Sequence, residues 1–181
     1  MKNPRFSAAG MSIDPITTED VPAFMEMMGE LADFLNGSQN FVTTPEELKR
    51  VLFSDPPGME VIVGRQDGEV AGFVNWFEDY KMFSGRRSMR VDYLYVRPKF
   101  RTRPLAIGML VYLLRLAKAR GYRYLEGAVL DRNAPARKMY KALKARELEM
   151  RTYNLDLDQV DLTAFQPSRP AWRPSGVALG P

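Results

Sequence analysis

The sequence contains neither cysteine nor histidine in its 181 residues. The absence of histidine excludes Cys–His and Ser–His relays and the zinc sites that use imidazole ligands. Acid–base chemistry therefore has to rely on Asp, Glu, Tyr, Lys or water, and we predict no metal site. The absence of cysteine removes disulfides as a guide to the compartment, which leaves the cytoplasm as the default expectation.

Long hydrophobic runs are missing as well. The longest, PLAIGMLVYLL, is too short to cross a bilayer, and the N-terminal stretch MKNPRFSAAGMS lacks the apolar core of a secretory signal, so we expect no membrane partner. The chain is 45% hydrophobic and 27% charged, which is enough for one compact domain. Its net charge of +4 is compatible with an anionic cofactor or with nucleic acid, and also with a small excess of Lys and Arg that only aids solubility; composition alone does not decide.

The first half of the chain predicts helices and strands from the spacing of its apolar residues. Thr17 and Asp20 form a capping-box pattern before one amphipathic helix, and Thr44 with Pro45 marks the start of another. Asp67-Gly68 joins two β-rich runs as a hairpin, because glycine supplies the positive φ that the turn needs. The predicted elements are a strand at 11–16, helices at 17–35 and 44–53, and two strands within 60–77.

The second half begins with a long strand, SMRVDYLYV, followed by a helix that is apolar nearly all round and by the strand YRYLEGAVL. The strand–helix–strand order leaves no room for a hairpin, so the two strands are predicted to be parallel and the helix to be buried. A shorter helix over 133–145 and a closing strand over 147–157 complete the pattern.

A basic loop precedes the apolar helix. The stretch RPKFRTRPLA ends at the start of that helix and contains four cations, Arg97, Lys99, Arg101 and Arg103. A helix N-terminus presents unpaired N–H groups and a partial positive charge, and phosphates bind there readily. The loop is therefore a candidate anion site, and its alternative is an ordinary solvated run of charge.

The order of elements, together with three segments, resembles the GCN5-related N-acetyltransferases. LYVRPKFRTRPLAIGMLVYLL is similar to the family's strand, Arg/Gln-x-x-Gly-x-Gly/Ala loop and helix. AVLDRNAPARKMYKALKA is similar to its later segment, and the stretch from VTTPEEL to MFSGR resembles the diamine and polyamine acetyltransferase branch. The resemblance covers about residues 11–157. It implies an α/β fold, with a mixed and mostly antiparallel sheet and a central parallel βαβ pair flanked by helices.

The resemblance implies transfer of an acetyl group from acetyl-coenzyme A, as co-substrate, to a primary amine of a polyamine-like or amino-acid-like small molecule. The strand edge would meet the pantetheine arm and the loop N–H groups would meet the pyrophosphate. Asn133, the expected N-cap of the shorter helix, would also meet the cofactor. The implied cofactor-binding residues are Leu94, Tyr95, Val96, Arg101, Thr102, Arg103, Pro104, Leu105, Ala106 and Asn133.

Two residues are implied as catalysts. Asp92 stands where the polyamine-like branch has a Glu, and it would remove a proton from the amine through a water, because Asp is one methylene shorter. Tyr140 stands at the family's general-acid position, where a phenol can protonate the leaving thiolate. The alternative for Asp92 is a surface or hydrogen-bonded carboxylate without a catalytic role, and the alternative for Tyr140 is an aromatic residue of the core. The strand face opposite Asp92 is expected to carry Met89, Val91, Tyr93 and Tyr95.

The loop departs from the family pattern at Thr102 and Pro104. Proline has no N–H, and losing one hydrogen bond to a charged group costs about 1.5–3 kcal/mol, or roughly ten- to a hundredfold in affinity. A second departure is Lys144, where the family often has glycine. Two functions therefore stay open. One is an active small-amine N-acetyltransferase with loosened cofactor affinity, and the other is a catalytically degenerate relative that binds a ligand or a partner.

The same pattern gives expectations for organisation and partners. We predict an N-terminal lead-in at 1–10, an acetyltransferase-like domain at 11–157 and a Pro-rich tail at 158–181. Edge strands and a tryptophan in the tail favour a homodimer, whereas a basic loop with few aromatics disfavours nucleic acid. Five carboxylates either attract a cationic substrate or belong to solvated faces: Glu26, Glu30, Asp33, Glu78 and Asp79.

Overall fold

The computed structural model describes residues 6–8, 10–101 and 104–160. The chain divides into two compact units, residues 1–133 and 134–181. The first unit contains a six-stranded sheet whose strands lie in sequence order. The strands are β1 (Phe6–Ala8), β2 (Met11–Pro15), β3 (Glu60–Gln66), β4 (Glu69–Lys81), β5 (Arg86–Val96) and β6 (Tyr124–Gly127), and the helices are α1 (Val21–Phe34), α2 (Pro45–Leu52), α3 (Leu105–Ala119) and α4 (Ala134–Ala142).

The sheet has the mixed topology that the sequence predicts. Neighbouring strands are antiparallel from β1 to β5, and β5 pairs with β6 in parallel, with α3 as the connection between them. The parallel pair forms the last two strands of the described sheet. Strand β1 lies within the segment that the sequence marks only as a lead-in.

Capping chemistry determines where the first two helices begin. The Thr17 N–H donates to the Asp20 carboxylate at 3.0 Å, which closes the predicted capping box. A 3-10 turn over Thr18–Asp20 precedes α1, so that helix begins later than the predicted position 17. The Thr44 hydroxyl accepts from the Glu47 N–H at 3.2 Å, and Pro45 is the first residue of α2. The hairpin prediction is also confirmed, since Asp67 and Gly68 both have positive φ between β3 and β4.

The sheet separates two hydrophobic clusters. On one face α3 packs against the strands, and the fully buried members of that cluster include Met89, Leu105, Met109, Tyr112 and Leu113. The other face is covered by α1 and α2, and its cluster includes Phe24, Met27, Leu48, Phe73 and Tyr95. This two-sided burial explains why the strands are rich in apolar residues at successive positions.

Helix α3 approaches the sheet closely because β3 offers a glycine beneath it. A Cβ placed on Gly64 would lie 2.8 Å from the Leu105 Cδ1 atom and 3.0 Å from the Met109 sulfur. The prediction that α3 is buried is confirmed, and Ile107, which is 60% exposed, lies on its open side. The close packing fixes the start of α3 relative to the end of β5, where the candidate site lies.

The second unit contains α4, and a residue with left-handed backbone lies two positions after the end of this helix. The Ala145 N–H donates to the Tyr140 carbonyl at 3.1 Å, and Lys144 has a φ of 56°. This geometry is typical of a helix C-terminus and favours glycine. Lys144 therefore occupies the conformation for which a glycine would be the unstrained choice.

The prediction of a closing strand at 147–157 is wrong. The structure has no strand there, only a 3-10 turn over Leu157–Gln159, and the apolar side chains of this segment are exposed. Their alternation changes phase between Met150 and Tyr153, so no single strand face would collect them. Within the described ranges no helix combines the length and hydrophobicity that crossing a membrane requires.

Candidate active site

A β-bulge interrupts the pairing of β4 with β5 at Asp92. Asn75 lies opposite Tyr93, and the next residue, Trp76, lies opposite Val91. Asp92 is therefore the extra residue of the bulge, and its side chain is exposed. A bulge bends the strand and redirects the side chains around it, so the backbone itself marks the position that the sequence proposes for the general base.

The bulge also overturns one expectation for this strand. Met89 and Val91 belong to the cluster under α3, whereas Tyr95 is buried in the cluster under α1. The prediction that these residues share one face with Tyr93 is therefore wrong, because one extra residue shifts the alternation of every side chain that follows. Tyr93 is 43% exposed, and burial together with the charge of Asp92 raises the pKa of its phenol.

Asn75 holds the bulge from the neighbouring strand. Its side chain is buried, and its Oδ1 atom accepts the Tyr93 N–H at 3.0 Å. Its Nδ2 atom lies 3.4 Å from the Asp92 carboxylate and 3.2 Å from the Met59 sulfur. Asn75 is not among the site residues predicted from the sequence, although an asparagine inside the apolar run GFVNWF is a signal for such a residue.

The edge of β5 beyond the bulge is open on the side of β6. Pairing between the two strands ends at Val91 and Gly127, while β5 continues to Val96 with β4 on its other side. The predicted cofactor-binding residues Leu94, Tyr95 and Val96 occupy this splayed stretch. An open strand edge presents backbone groups that an extended ligand can pair with. The Val96 carbonyl already accepts from the Arg101 Nε atom at 2.9 Å.

The loop after β5 leads into the N-terminus of α3. A 3-10 turn over Pro98–Phe100 buries the Phe100 ring in the α3 cluster. Pro104 is the N-cap of α3, and its carbonyl accepts the first helical hydrogen bond, from the Gly108 N–H at 2.8 Å. The N–H groups of Leu105 and Ala106 precede that bond and belong to the donors of the helix N-terminus. Thr102 and Arg103 lie outside the described residues.

The positive charge of the loop is smaller than its composition indicates. Arg97 forms ion pairs with Glu26 at 2.7 Å and with Glu30 at 2.9 Å, and Lys99 forms one with Glu69 at 2.6 Å. These carboxylates neutralise two of the described cations of the loop, which therefore contribute less to an anion site than their number indicates.

Arg101 is the exception among the described cations of the loop, since no carboxylate of the described residues lies within ion-pair distance of it. Its guanidinium lies over the rings of Tyr95 and Phe34, at 5.7 Å and 5.8 Å. These groups line an open pocket of about 720 Å³ between α1 and the loop. Arg101 is therefore a pre-positioned, uncompensated cation beside the helix N-terminus.

The acidic side chains proposed to attract a substrate are mostly ion-pair partners within the protein. Glu26 and Glu30 bind Arg97, and Asp33 accepts from the Ser38 hydroxyl. Arg87, and secondarily Tyr122, lower the pKa of Glu78, and Lys81 lowers the pKa of Asp79. Four of the five, Glu26, Glu30, Glu78 and Asp79, are thus paired with cations of the same chain, so their charge is largely compensated.

Asn133 and Tyr140 lie in different units of the chain. Asn133 is half-buried, its N–H donates to the Leu130 carbonyl at 2.8 Å, and α4 begins at the next residue. Tyr140 lies within α4 and is half-buried, and burial raises the pKa of its phenol. A phenol with a raised pKa stays protonated near neutral pH and can act as a hydrogen-bond donor.

The bulge, the splayed edge and the helix start can be compared with known proteins. The sequence profile of the acetyltransferase (GNAT) family matches residues 25–144. The chain belongs to this family. It is therefore an acyltransferase, and the matched residues of this acetyltransferase run from α1 to the end of α4.

Its relatives include enzymes that are named thialysine N-epsilon-acetyltransferases. The chain is 30% identical to a thialysine N-epsilon-acetyltransferase of Caenorhabditis elegans, over 69% of its own length and 76% of the relative's. It is 27% identical to the enzyme of the same name from Bos taurus, over 71% and 80%.

Solved structures show the same fold. A ribosomal-protein-alanine N-acetyltransferase from Brucella melitensis superposes with a TM-score of 0.66 at 20% identity, covering 81% of this chain and 99% of that one. An aminoglycoside acetyltransferase from an uncultured soil metagenomic sample, solved with sisomicin, gives 0.69 at 12% identity, covering 81% and 96%.

Proposed function

We propose that this acetyltransferase transfers the acetyl group of acetyl-coenzyme A to a primary amine of a small molecule that is polyamine-like or amino-acid-like. The observation that carries the proposal is the bulge at Asp92, which places a carboxylate directly before the open edge of β5. The thialysine N-epsilon-acetyltransferases among the relatives support an amine on a small, amino-acid-like acceptor.

The residues present fit a thioester co-substrate with a pyrophosphate. The open edge at Leu94–Val96 offers backbone groups to an extended arm. The N–H groups of Leu105 and Ala106 and the guanidinium of Arg101 suit the pyrophosphate at the start of α3. When bound, acetyl-coenzyme A supplies the activated acyl group, and the other parts of the reaction fall to the side chains of the protein.

Asp92 acts first on the acceptor. An alkylamine with a lysine-like pKa of about 10.4 is mostly protonated at neutral pH, and its nitrogen cannot attack until a proton is removed. The Asp92 carboxylate accepts that proton directly or through one water. Tyr140 then donates its phenolic proton to the departing sulfur, a role for which a neutral phenol is required. Both assignments are proposals that rest on the family positions of these residues.

A steady-state assay tests the proposal. Purified protein is supplied with acetyl-coenzyme A and a panel of amines, including thialysine, lysine and spermidine, and free thiol release is measured. We expect turnover with at least one amine and a loss of roughly 100-fold or more in kcat for Asp92→Asn. Binding of acetyl-coenzyme A without turnover of any amine would instead identify a degenerate binding module.

We also propose that the chain has the three-part division given above, that it is cytoplasmic, that it forms a homodimer and that nucleic acid is not its partner. Size-exclusion chromatography with light scattering measures the oligomeric state directly.

A further inference from the structure

We propose that Asn75 is a positioning residue that orients Asp92 for proton removal and determines the side from which the amine arrives. The inference rests on the proposed function, since it concerns the same carboxylate. It adds a residue on a different strand, β4, whose side chain organises the base without itself acting on the substrate.

Both the oxygen and the nitrogen of the Asn75 side-chain amide form contacts at the bulge. The side chain is 3% exposed. Its oxygen accepts the Tyr93 N–H at 3.0 Å, and its nitrogen lies 3.4 Å from the Asp92 Oδ2 atom. A buried amide is costly unless it is hydrogen-bonded, so these contacts account for a polar group in the middle of an apolar strand.

The bulge explains why an amide is required. Because Asp92 is the extra residue, it disturbs the regular ladder, and the Tyr93 N–H donates to a side chain of β4. An acceptor for that N–H and a donor toward the carboxylate are needed at one position. Asparagine provides one acceptor and two donors at the correct reach. Aspartate lacks the donor, and leucine lacks both.

The position of Asn75 also assigns the carboxylate to a face of the sheet. Asn75 lies two residues after Phe73 on β4, so the two side chains point to the same face, and Phe73 packs in the cluster under α1 and α2. Met59, which also contacts Asn75, packs against that cluster. The Asp92 carboxylate is therefore held toward the α1–α2 face, so an amine that gives its proton to this carboxylate has to reach it from that side.

The test uses an isosteric substitution of Asn75 and a double variant that exchanges the amide of Asn75 with the carboxylate of Asp92. Asn75→Asp keeps the shape but places a second carboxylate beside Asp92. We expect kcat to fall by roughly 10- to 100-fold, the scale of a slightly misplaced catalytic group, and the acid limb of the pH–rate profile to move to higher pH, because a like charge opposes ionisation of the base. The dissociation constant for acetyl-coenzyme A should stay within about twofold, since the variant does not touch the loop.

The double variant Asn75→Asp/Asp92→Asn separates the effect of the carboxylate's position on kcat from its effect on the stability of the fold. It restores one amide and one carboxylate across the bulge, so the melting temperature should return toward that of the wild type while kcat stays low. The matched control is Ser88→Ala, which removes a buried hydroxyl from β5 outside the bulge and should leave kcat and the pH profile unchanged.

Each outcome decides between the two proposals. If the wild type turns over amines and Asn75→Asp keeps its kcat and pH profile, the positioning role is overturned and the proposed function stands. Recovery of wild-type kcat by the double variant would likewise overturn it, because the site of the carboxylate would then not matter. If the wild type turns over no amine, the proposed function fails and this inference fails with it.

Discussion

The phenol of Tyr95 on β5 donates a hydrogen bond of 2.9 Å to the carboxylate of Glu30 on α1. The same carboxylate lies 2.9 Å from Arg97, the first residue after β5. Glu30 therefore ties the end of the strand, and with it the start of the basic loop, to the first helix. The candidate cofactor loop is held at its beginning by a buried strand residue and at its end by the packing of α3.

Tyr95→Phe should lower the free energy of unfolding at pH 7 by about 1.5–3 kcal/mol, the scale of a lost hydrogen bond to a charged group. Burial, and secondarily Glu30, raises the pKa of Tyr95 above its ordinary value of 10.0. The folded protein thus favours the neutral phenol, so this contribution is present below about pH 10 and is lost as pH rises through the folded pKa. Urea denaturation from pH 7 to 11 should show the difference between wild type and variant shrinking.

Tyr80→Phe is the control for that series, because Tyr80 is 61% exposed and should give no difference at any pH. A Tyr95→Phe effect that stays constant up to pH 11 would contradict the assigned cause of the shift.

Arg101→Gln should weaken acetyl-coenzyme A binding by roughly tenfold or more, since it removes a charge-assisted contact from a pre-positioned guanidinium. Lys99→Gln removes an equal charge from the same loop, but its partner Glu69 already neutralises it, so its effect should be smaller. Isothermal titration calorimetry measures both constants. Equal effects of the two substitutions would show that only the net charge of the loop matters.

Pro104→Gly should tighten acetyl-coenzyme A binding by roughly tenfold if the missing N–H is the defect, because glycine restores a donor at the helix N-terminus. Pro98→Gly is the matched control. It adds the same flexibility to the loop at the 3-10 turn, away from the start of α3. An unchanged dissociation constant for Pro104→Gly would show that the proline is neutral for binding.

Tyr140→Phe should lower kcat by about 100-fold or more, the usual contribution of a general acid, and should leave the dissociation constant of acetyl-coenzyme A nearly unchanged. Tyr153→Phe, at an exposed tyrosine of the same unit, should have no effect on either quantity. Stopped-flow or steady-state thiol release reports kcat, and full activity in Tyr140→Phe would remove the phenol from the mechanism.

Local chemistry made much of the fold predictable. Thr17 with Asp20, Thr44 with Pro45, and Asp67 with Gly68 each specify a cap or a turn through bonds that span three residues or fewer. The closing strand was not predictable in this way, because a strand exists only when another strand pairs with it, whatever its pattern of apolar residues.

The sequence by itself determined most of the element types up to α4, the absence of imidazole and thiol chemistry, and the placement of Asp92 before an apolar strand end. The tertiary structure decided which of those residues are available. It buried Asn75 against the bulge and neutralised Arg97 and Lys99 with distant carboxylates, while Arg101 has no carboxylate partner among the described residues. The reason is physical: a cap depends on neighbours in the chain, whereas the charge and direction of a site depend on groups that meet only after folding.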